Sequence, residues 1–309
     1  MRVYYNLNNF VPLKNAVVTT GTFDGVHLGH QTILKRLIET AKQHHGESVL
    51  LTFSPHPRLV LDPSSNIKML QSLSEKISAL EKIGLDHLII HPFTLEFAKT
   101  SSLDFIKNIL KENIGANKLV IGYDHHFGRN REGSFKHLKA SSQQYGFDVE
   151  EIPAQDVDDI HVSSTKIRKA LEIGDVSTAN LYLSRPFSLT GRVIHGKEIG
   201  RSIGFPTANI QIEDDYKVIP KNGVYAVDVF LLDREKQYKG MLNIGNNPTV
   251  SNNSTKQNIE VHILNFNKDI YDEDIRIELK SRIRDEKQFT NLLELQHQLE
   301  MDKKTCLTL

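Results

Sequence analysis

Apolar residues in the first half of the chain alternate between short continuous runs and helical spacing. The runs "AVVTT" at 16–20 and "SVLLTF" at 48–53 are typical of buried strands. Between them, the apolar residues are spaced as on one face of a helix: Ile33, Leu34, Leu37, Ile38 and Ala41. This part of the chain is therefore predicted to form a βαβ unit.

The same alternation continues to about residue 153. A capping box of Ser72 and Glu75 predicts the start of a helix that Gly84 ends, and a further helix is expected from Ser101 to near Gly115. The remaining predicted elements are a polar helix and three strands: 134–145, then 87–93, 118–124 and 147–153. Short connections and right-handed crossovers favour an α/β fold with a doubly wound parallel sheet, which binds ligands outside the carboxyl ends of its strands.

The second half has a different pattern, in which turn residues separate short apolar runs. Six runs are predicted to be strands, with no helix among them: 187–196, 207–212, 223–232, 237–245, 258–266 and 274–284. A small all-β barrel of Greek-key type would remove the exposed edges of such strands, and a C-terminal helix at 289–304 would cover it. We place the domain boundary near Ser184, which gives domains at 1–183 and 184–309.

Composition and charge limit the classes of function. The length of 309 residues is enough for two domains, and 38 basic residues balance 38 acidic ones, so no overall field attracts nucleic acid or an anionic membrane. Cys306 is the one cysteine, the start of the chain has no signal-peptide pattern, and the apolar runs are shorter than the roughly 18 residues of a membrane span. A cytoplasmic protein with no nucleic-acid or membrane partner is expected.

The segment "GTFDGVHLGH" at 21–30 follows the first buried strand and opens the first helix. Glycines allow the backbone to approach a ligand, the helix start offers free amide groups, and two imidazoles add donors, which together favour a phosphate cradle. Two alternatives remain at this point. Asp24 and the two histidines could ligate a metal ion, or the segment could be a plain turn.

This segment resembles the "HxGH" signature of the nucleotidylyltransferase superfamily, and the preceding "GTFDG" resembles bacterial FAD synthetases. A second motif of that family, "SSTKIR" at 163–168, opens a predicted helix, although it could also be a helix cap followed by a solvated arginine. The resemblance implies that the first half transfers AMP from ATP to FMN, with catalytic roles for His27, His30 and Arg168. It also implies nucleotide contacts from eight residues: Gly21, Phe23, Asp24, Gly25, Gly29, Ser163, Ser164 and Thr165.

Two further loops match the family in position and in much of their content. They are "TFSPHPR" at 52–58 and "GYDHHFGRNREG" at 122–133, whose alternative is an exposed charged loop. The resemblance implies flavin contacts from five residues: Pro55, His56, Pro57, Asp124 and Phe127. The sequence departs from the family at His125, where an aromatic carbocycle is more common.

The second half resembles riboflavin kinases through "GRVIHGKEIGRSIGFPTANI" at 191–210. The resemblance implies nucleotide contacts from Gly196, Gly200 and Arg201. It implies that Thr207 and Asn209 are magnesium ligands and that Glu260 is the catalytic base. It also implies a flavin contact from Arg284. A hydroxyl and an amide oxygen are hard ligands that suit Mg²⁺. The alternatives are a plain turn for "PTAN" and an outward-facing strand carboxylate for Glu260. Departures occur in the loop 246–258 and at Asp272, where glycine is common.

Together these resemblances predict a bifunctional enzyme of flavin biosynthesis. The barrel would phosphorylate riboflavin to FMN, and the α/β half would adenylylate FMN to FAD with release of pyrophosphate. ATP is the expected co-substrate, Mg²⁺ the expected cofactor, and the expected partners are these small molecules, while the sequence does not indicate an oligomeric state. The alternatives are an adenylyltransferase whose second domain only binds flavin, and a flavin-binding sensor without turnover.

Overall fold

A computed structural model describes residues 1–153, 162–196, 199–232, 236–246 and 257–309. The chain divides into two compact units, Met1–Ser164 and Thr165–Leu309. Each unit has its own sheet and its own buried core.

The first unit contains a six-stranded sheet in which every neighbouring pair is parallel. Its strands in chain order are β1 (Arg2–Tyr4), β2 (Ala16–Thr20), β3 (Glu47–Ser54), β4 (His87–Pro92), β5 (Ala116–Gly122) and β6 (Asp148–Ile152). The order across the sheet is β1-β4-β3-β2-β5-β6, so the direction of winding reverses between β2 and β5. Open α/β sheets bind ligands at the carboxyl ends of the strands beside this reversal. The doubly wound parallel sheet predicted from sequence is confirmed.

Helices cover both faces of this sheet. They are α1 (Leu28–Gln43), α2 (Pro57–Leu61), α3 (Leu73–Ile83), α4 (Ser102–Asp104), which continues as a π-helix (Phe105–Asn113), and α5 (Phe135–Tyr145). Leu34 of α1 and Leu80 of α3 are buried on one face, whereas Leu110 and Leu138 are buried on the other. The capping box of α3 and its left-handed C-cap at Gly84 are confirmed. The two short elements β1 and α2 were not predicted, because three to five residues carry too little periodicity.

The second unit contains a closed antiparallel barrel. Its strands are β7 (Phe187–Ile194), β8 (Ala208–Gln211), β9 (Gly223–Leu231), β10 (Lys236–Asn246), β11 (Gln257–Ile263) and β12 (Asp274–Arg284), which close in the order β10-β11-β8-β7-β12-β9. Each strand contributes a buried apolar side chain to the core: Leu189, Ile210, Val229, Leu242, Val261 and Ile277. The predicted barrel is confirmed.

Among the described residues, four helices accompany the barrel: α6 (Ser164–Ile173), α7 (Val176–Leu183), α8 (Ile199–Ser202) and α9 (Leu292–Thr308). The terminal helix α9 confirms the prediction. The expectation that no helix interrupts the strands is wrong, because α8 lies between β7 and β8. The segment that follows α8 folds back tightly on this helix, and the Phe205 amide donates to the Gly200 carbonyl at 2.9 Å. A Cβ atom on Gly200 would lie 2.2 Å from the Phe205 carbonyl oxygen, so this approach requires glycine.

Helices α6 and α7 belong to the barrel unit. The Asn180 side chain donates to the Leu279 carbonyl at 2.8 Å and accepts from the Phe187 amide at 2.7 Å. The Lys221 amide donates to the Leu171 carbonyl at 2.9 Å. The compact units therefore divide after Ser164, and the domain boundary near residue 184 stays a prediction.

We expect the fragment 165–309 to be more stable than the fragment 184–309. The shorter fragment loses Asn180 and leaves a buried amide and a buried carbonyl without their partner, at about 1–3 kcal/mol each. For a unit of this size that lowers the Tm by about 5 °C or more. Thermal unfolding followed by circular dichroism measures the difference, and riboflavin phosphorylation by each fragment tests its activity. Equal Tm values would contradict the role assigned to these helices.

Candidate active sites

The loop 21–27 connects β2 to α1 at the reversal of the first sheet. Phe23, Gly25 and Val26 have φ angles of 45°, 87° and 41°, in the left-handed region. For residues other than glycine this conformation costs about 1–3 kcal/mol and is concentrated at functional sites. The Val26 amide donates to the Phe23 carbonyl at 3.3 Å, which closes the turn. The sequence therefore forms a compact, strained loop where a ligand is expected.

Hydrogen bonds from the protein interior hold this loop. The Thr22 carbonyl accepts from the Thr52 hydroxyl at 3.2 Å and from Lys76 Nζ at 2.8 Å. The Asp24 carboxylate accepts from the Leu70 amide at 3.0 and 3.2 Å, and Asp24 is only 2% exposed. Asp24 is thus bound to the protein on the inner side of the loop, and its predicted nucleotide contact stays a prediction.

Two imidazoles stand at the start of α1. His27 is the N-cap residue and is 6% exposed, while His30 lies in the first turn and is half-buried. Their rings stack with centroids 3.7 Å apart, and Phe23 lies 4.8 Å from His30. A helix N-terminus and adjacent imidazole donors attract an anion. No group of three His, Cys, Asp or Glu side chains could hold a metal ion in the described part of the chain, which disfavours the alternative metal site.

The second motif meets the first at Ser164. Its hydroxyl donates to the Asp24 carbonyl at 2.9 Å, although 140 positions separate the two residues in the sequence. Ser163 is half-buried beside it. Thr165, which is exposed, and Arg168, which is half-buried, follow on α6. The second motif therefore reaches the strained loop at Ser164.

The loop after β5 approaches the same end of the sheet through His125. His125 Nε2 lies 2.8 Å from the hydroxyl of Thr20, the last residue of β2. Burial lowers the pKa of His125 to about 4, so its ring is neutral near pH 7. The departure from the family pattern thus makes a hydrogen bond between β2 and the loop after β5, which a phenyl ring could not make.

The predicted flavin-side residues differ in exposure. Asp124 and Pro55 are exposed, and His56 is half-buried, with its Nδ1 accepting from the Arg58 amide at 3.1 Å. Phe127, in contrast, is buried, and its ring lies 5.4 Å from that of Phe105 in the core. Packing explains Phe127 without a ligand, and its flavin contact stays a prediction.

Sequence reasoning missed an aromatic group at the ends of β3 and β4. The Phe53 ring lies 5.6 Å from Phe93 and 5.5 Å from Phe97. Phe53 lies within the motif at 52–58 but was not among its predicted contacts, and Phe93 and Phe97 belong to no motif. Their place at the ends of two neighbouring strands could have identified all three. They provide apolar surface next to the 55–57 segment in the sequence.

In the second unit, buried and half-buried side chains alternate along β11. Ile259, Val261 and Ile263 are buried, whereas Glu260 and His262 are half-buried on the opposite face. Glu260 pairs with Asn209 of β8 and with Asn243 of β10, and cross-strand partners share a face.

Glu260 meets the "PTAN" segment directly. The Thr207 hydroxyl donates to Glu260 Oε2 at 3.3 Å, and Asn258 Nδ2 donates to Oε1. A Cβ atom on Gly196 would lie 1.9 Å from Asn209 Nδ2, so any larger residue at 196 would have to displace this amide. Hydroxyl, amide and carboxylate oxygens are the donors that Mg²⁺ prefers, and these residues therefore fit a magnesium ion.

These residues open into a cavity of about 320 Å³ between the barrel strands and α9. Thr207, Glu260 and Arg284 contribute its polar lining, and Phe205 and Leu299 are part of its apolar lining. A volume of this order is typical of sites for small organic ligands. The structure thus brings together four of the residues predicted for the kinase site: Gly200, Thr207, Glu260 and Arg284.

His262 was missed, although its position two residues after Glu260 on the same strand face could have identified it. His262 lines the cavity, and its Nδ1 lies 2.7 Å from the Pro206 carbonyl oxygen, to which it donates. Burial lowers the pKa of His262 below its usual value. His262 therefore connects β11 to the start of the "PTAN" segment.

Arg201 and Asp272, which the sequence also singled out, do not line this cavity. Arg201 is exposed on α8. Asp272 has a φ of 62°, a conformation in which aspartate is tolerated and glycine is favoured, which explains the glycine that is common there. Most of the divergent loop, at 247–256, lies outside the described residues.

Arg284 holds the helix that covers the cavity. Its Nε and Nη2 donate to both carboxylate oxygens of Asp302 on α9, with the shortest contact at 2.8 Å, and Asp302 is 2% exposed. Gln298 Nε2 donates to the same carboxylate at 2.9 Å. The guanidinium group is thus bound to the protein, and a direct flavin contact of Arg284 stays a prediction.

Asp302→Ala is expected to destabilise the second unit by about 3 kcal/mol, because it leaves Arg284 without its buried partner. Riboflavin phosphorylation measured at increasing urea concentrations gives the unfolding midpoint of each variant, and the shift of this midpoint from that of the wild type is compared. Asp285→Ala is the matched control, since Asp285 pairs with Arg282 but its side chain is 70% exposed. An exposed pair contributes about 0–1 kcal/mol, so equal shifts for the two variants would contradict the assigned role.

Comparisons with known proteins identify two families along the chain. Residues 11–166 match the family model of FAD synthetase, and residues 183–309 match that of riboflavin kinase. Across the described residues, no helix combines the length and the apolar character needed to cross a membrane.

Two relatives and one solved structure cover nearly the whole chain. Bifunctional riboflavin kinase/FMN adenylyltransferases from Escherichia coli K12 and Haemophilus influenzae are 36% and 38% identical over 306 residues, which is 99% of this chain and 96% and 97% of theirs. A crystal structure of a Streptococcus pneumoniae protein, described as a macrolide-efflux protein, has 30% identity and a TM-score of 0.89, and the match covers 100% of this chain and 99% of that one. The predicted family is confirmed, and this chain belongs to the bifunctional riboflavin kinase/FMN adenylyltransferases.

Proposed function

We propose that the two activities of the family are divided between the two units. The first unit adenylylates FMN to FAD at the loop 21–27, and the second phosphorylates riboflavin to FMN in the cavity beside Glu260. The observation that carries this division is that each unit joins its own pair of motifs. Ser164 bonds to Asp24 in the first unit, and Thr207 bonds to Glu260 in the second.

In adenylyl transfer, a phosphate oxygen of FMN attacks the α-phosphorus of ATP, and the bond to the β-phosphate oxygen breaks to release pyrophosphate. The attacking group is already an anion, so this step needs no strong base. His27 and His30 neutralise the charge that develops on the α-phosphate and on pyrophosphate. The catalytic role of Arg168 in this step, which the resemblance implies, stays a prediction. The stacked imidazoles at the start of α1 support this role for the two histidines.

The remaining residues of the first site bind and orient the substrates. The proposed nucleotide contacts are the loop and "SST" residues: Gly21, Phe23, Asp24, Gly25, Gly29, Ser163, Ser164 and Thr165. The proposed flavin contacts are Pro55, His56, Pro57, Asp124 and Phe127. Asp124 and Pro55 are exposed, which supports their contact with the flavin. Phe127 is buried and would act mainly by packing.

In the kinase, Glu260 accepts the proton of the terminal ribityl hydroxyl as that oxygen attacks the γ-phosphorus of ATP, and ADP leaves. Thr207 and Asn209 would hold Mg²⁺, which neutralises charge on the phosphates when it is bound. Gly196, Gly200 and Arg201 would contact the nucleotide, and Arg284 the flavin. The contact between Glu260 and Thr207 supports placing base and metal ligands together.

Incubation of the purified protein with riboflavin, ATP and Mg²⁺, followed by chromatography of the flavins, tests this proposal. Successive formation of FMN and FAD is expected. FAD formed only from added FMN would favour an adenylyltransferase with a binding domain, and unchanged riboflavin and FMN would favour a sensor. The same assay with a magnesium chelator tests the metal requirement. The expected cytoplasmic location stays a prediction.

A further inference from the structure

A buried lysine outside every motif lies behind the loop 21–27. Lys76 is the fourth residue of α3, just after the capping box of Ser72 and Glu75 that fixes the start of this helix. It is 8% exposed, and its Nζ donates to the Thr22 carbonyl at 2.8 Å. Lysine is almost never buried to this degree unless it is paired.

Asp24 provides the opposite charge. Burial lowers the pKa of Lys76, and the negative charge of Asp24 opposes that lowering. Asp24 is itself buried, and its carboxylate accepts a hydrogen bond from the Leu70 amide. Without Lys76, its carboxylate would leave a less compensated negative charge in the loop that has to accept a polyphosphate.

The hydrogen bond also sets the orientation of a peptide group. In a trans peptide the carbonyl and the following amide point in opposite directions. Lys76 and Thr52 hold the Thr22 carbonyl on the inner side, so the Phe23 amide points away from Lys76. The Ser164 hydroxyl fixes the Asp24 carbonyl two residues later. Oriented amides of this kind are what a phosphate-binding loop requires.

We propose that Lys76 is a positioning residue for adenylyl transfer. Its ammonium group holds the Thr22 carbonyl and balances Asp24, so that the loop 21–27 keeps the shape and charge that receive the phosphates of ATP. This inference rests on the proposed adenylyltransferase activity of the first unit. Lys76 acts through the loop and does not touch the reacting atoms.

The test compares Lys76→Met and Lys76→Arg in the full chain, with FMN, ATP and Mg²⁺ as substrates and FAD as the measured product. Misplacement of a binding loop costs up to about 100-fold, so kcat/KM for ATP should fall about 10- to 100-fold in Lys76→Met. Lys76→Arg keeps charge and donor and should recover most of this loss. Lys82→Met is the matched control, because Lys82 is exposed on the same helix. Riboflavin phosphorylation by the same samples should not change.

Equal kcat/KM values for Lys76→Met and Lys82→Met would overturn the proposal. A lower Tm of Lys76→Met, with unchanged kcat/KM below that temperature, would also overturn it, since Lys76 would then only stabilise the fold. If Lys76→Met does not fold, Lys76→Gln retains a donor without the charge, and wild-type kcat/KM in that variant would overturn the charge-balancing role. Absence of FAD formation in the wild-type chain would instead contradict the proposed function itself.

Discussion

Glu260→Gln is expected to lower riboflavin phosphorylation by about 10²-fold or more while FMN adenylylation continues. The substitution keeps the size of the side chain and an acceptor oxygen for the Asn258 amide, while its NH2 group can donate to the Thr207 hydroxyl in place of accepting from it. It removes the basic carboxylate. General base catalysis typically contributes 10²- to 10⁴-fold, which sets the expected loss. Riboflavin binding should survive, because the cavity lining is otherwise unchanged. The measurement supplies riboflavin and FMN in separate reactions and follows each product by chromatography.

Asp274→Asn is the matched control for this prediction. It makes the same carboxylate-to-amide change on β12, where the carboxylate pairs with Arg192 at the surface. Kinase turnover in this variant should equal that of the wild type. If Glu260→Gln also phosphorylated riboflavin at the wild-type rate, Glu260 would be a strand residue of no catalytic role. The base would then have to be sought elsewhere in the cavity, beginning with His262.

Much of the fold could be predicted because periodicity reports which side of an element is buried. The alternation of Ile259, Glu260 and Val261 placed Glu260 on the face opposite the core, and the structure agrees. Elements of three to five residues, such as β1 and α8, carry no such signal. The π-helix at Phe105–Asn113 was predicted as an ordinary helix, because the positions of buried residues over nine residues hardly differ between the two forms.

The motifs predicted which distant segments meet. Thr207 and Glu260 are 53 positions apart, and a hydrogen bond joins them. The resemblance assigns both residues to the same reaction, the phosphorylation of riboflavin. Residues that support the site were missed when they lie on amphipathic helices. Lys76 and Asp302 look like surface charges in the sequence, and their burial depends on how α3 and α9 pack against other elements. Tertiary packing, which no local pattern encodes, decides their role.

His30→Ala is expected to lower FAD formation from FMN by about 10²- to 10³-fold, the usual cost of losing one preorganised donor to a developing anion. His30 lies in the first turn of α1, between the rings of His27 and Phe23, where the helix dipole adds to its effect on a phosphate. FMN formation from riboflavin should continue, because that reaction belongs to the second unit. Initial rates with saturating FMN and ATP measure the loss.

His44→Ala is the matched control for His30→Ala, since His44 caps the other end of the same helix and is exposed. Its rates in both reactions should equal those of the wild type. His30→Gln keeps a hydrogen-bond donor and should lose less activity than His30→Ala if His30 acts on the phosphate. A zinc-selective chelator, added with Mg²⁺ present, tests the remaining alternative. Full FAD formation by His30→Ala would contradict the action of His30 on the phosphate. Loss of FAD formation in the wild type with that chelator would favour a metal ion at the loop 21–27.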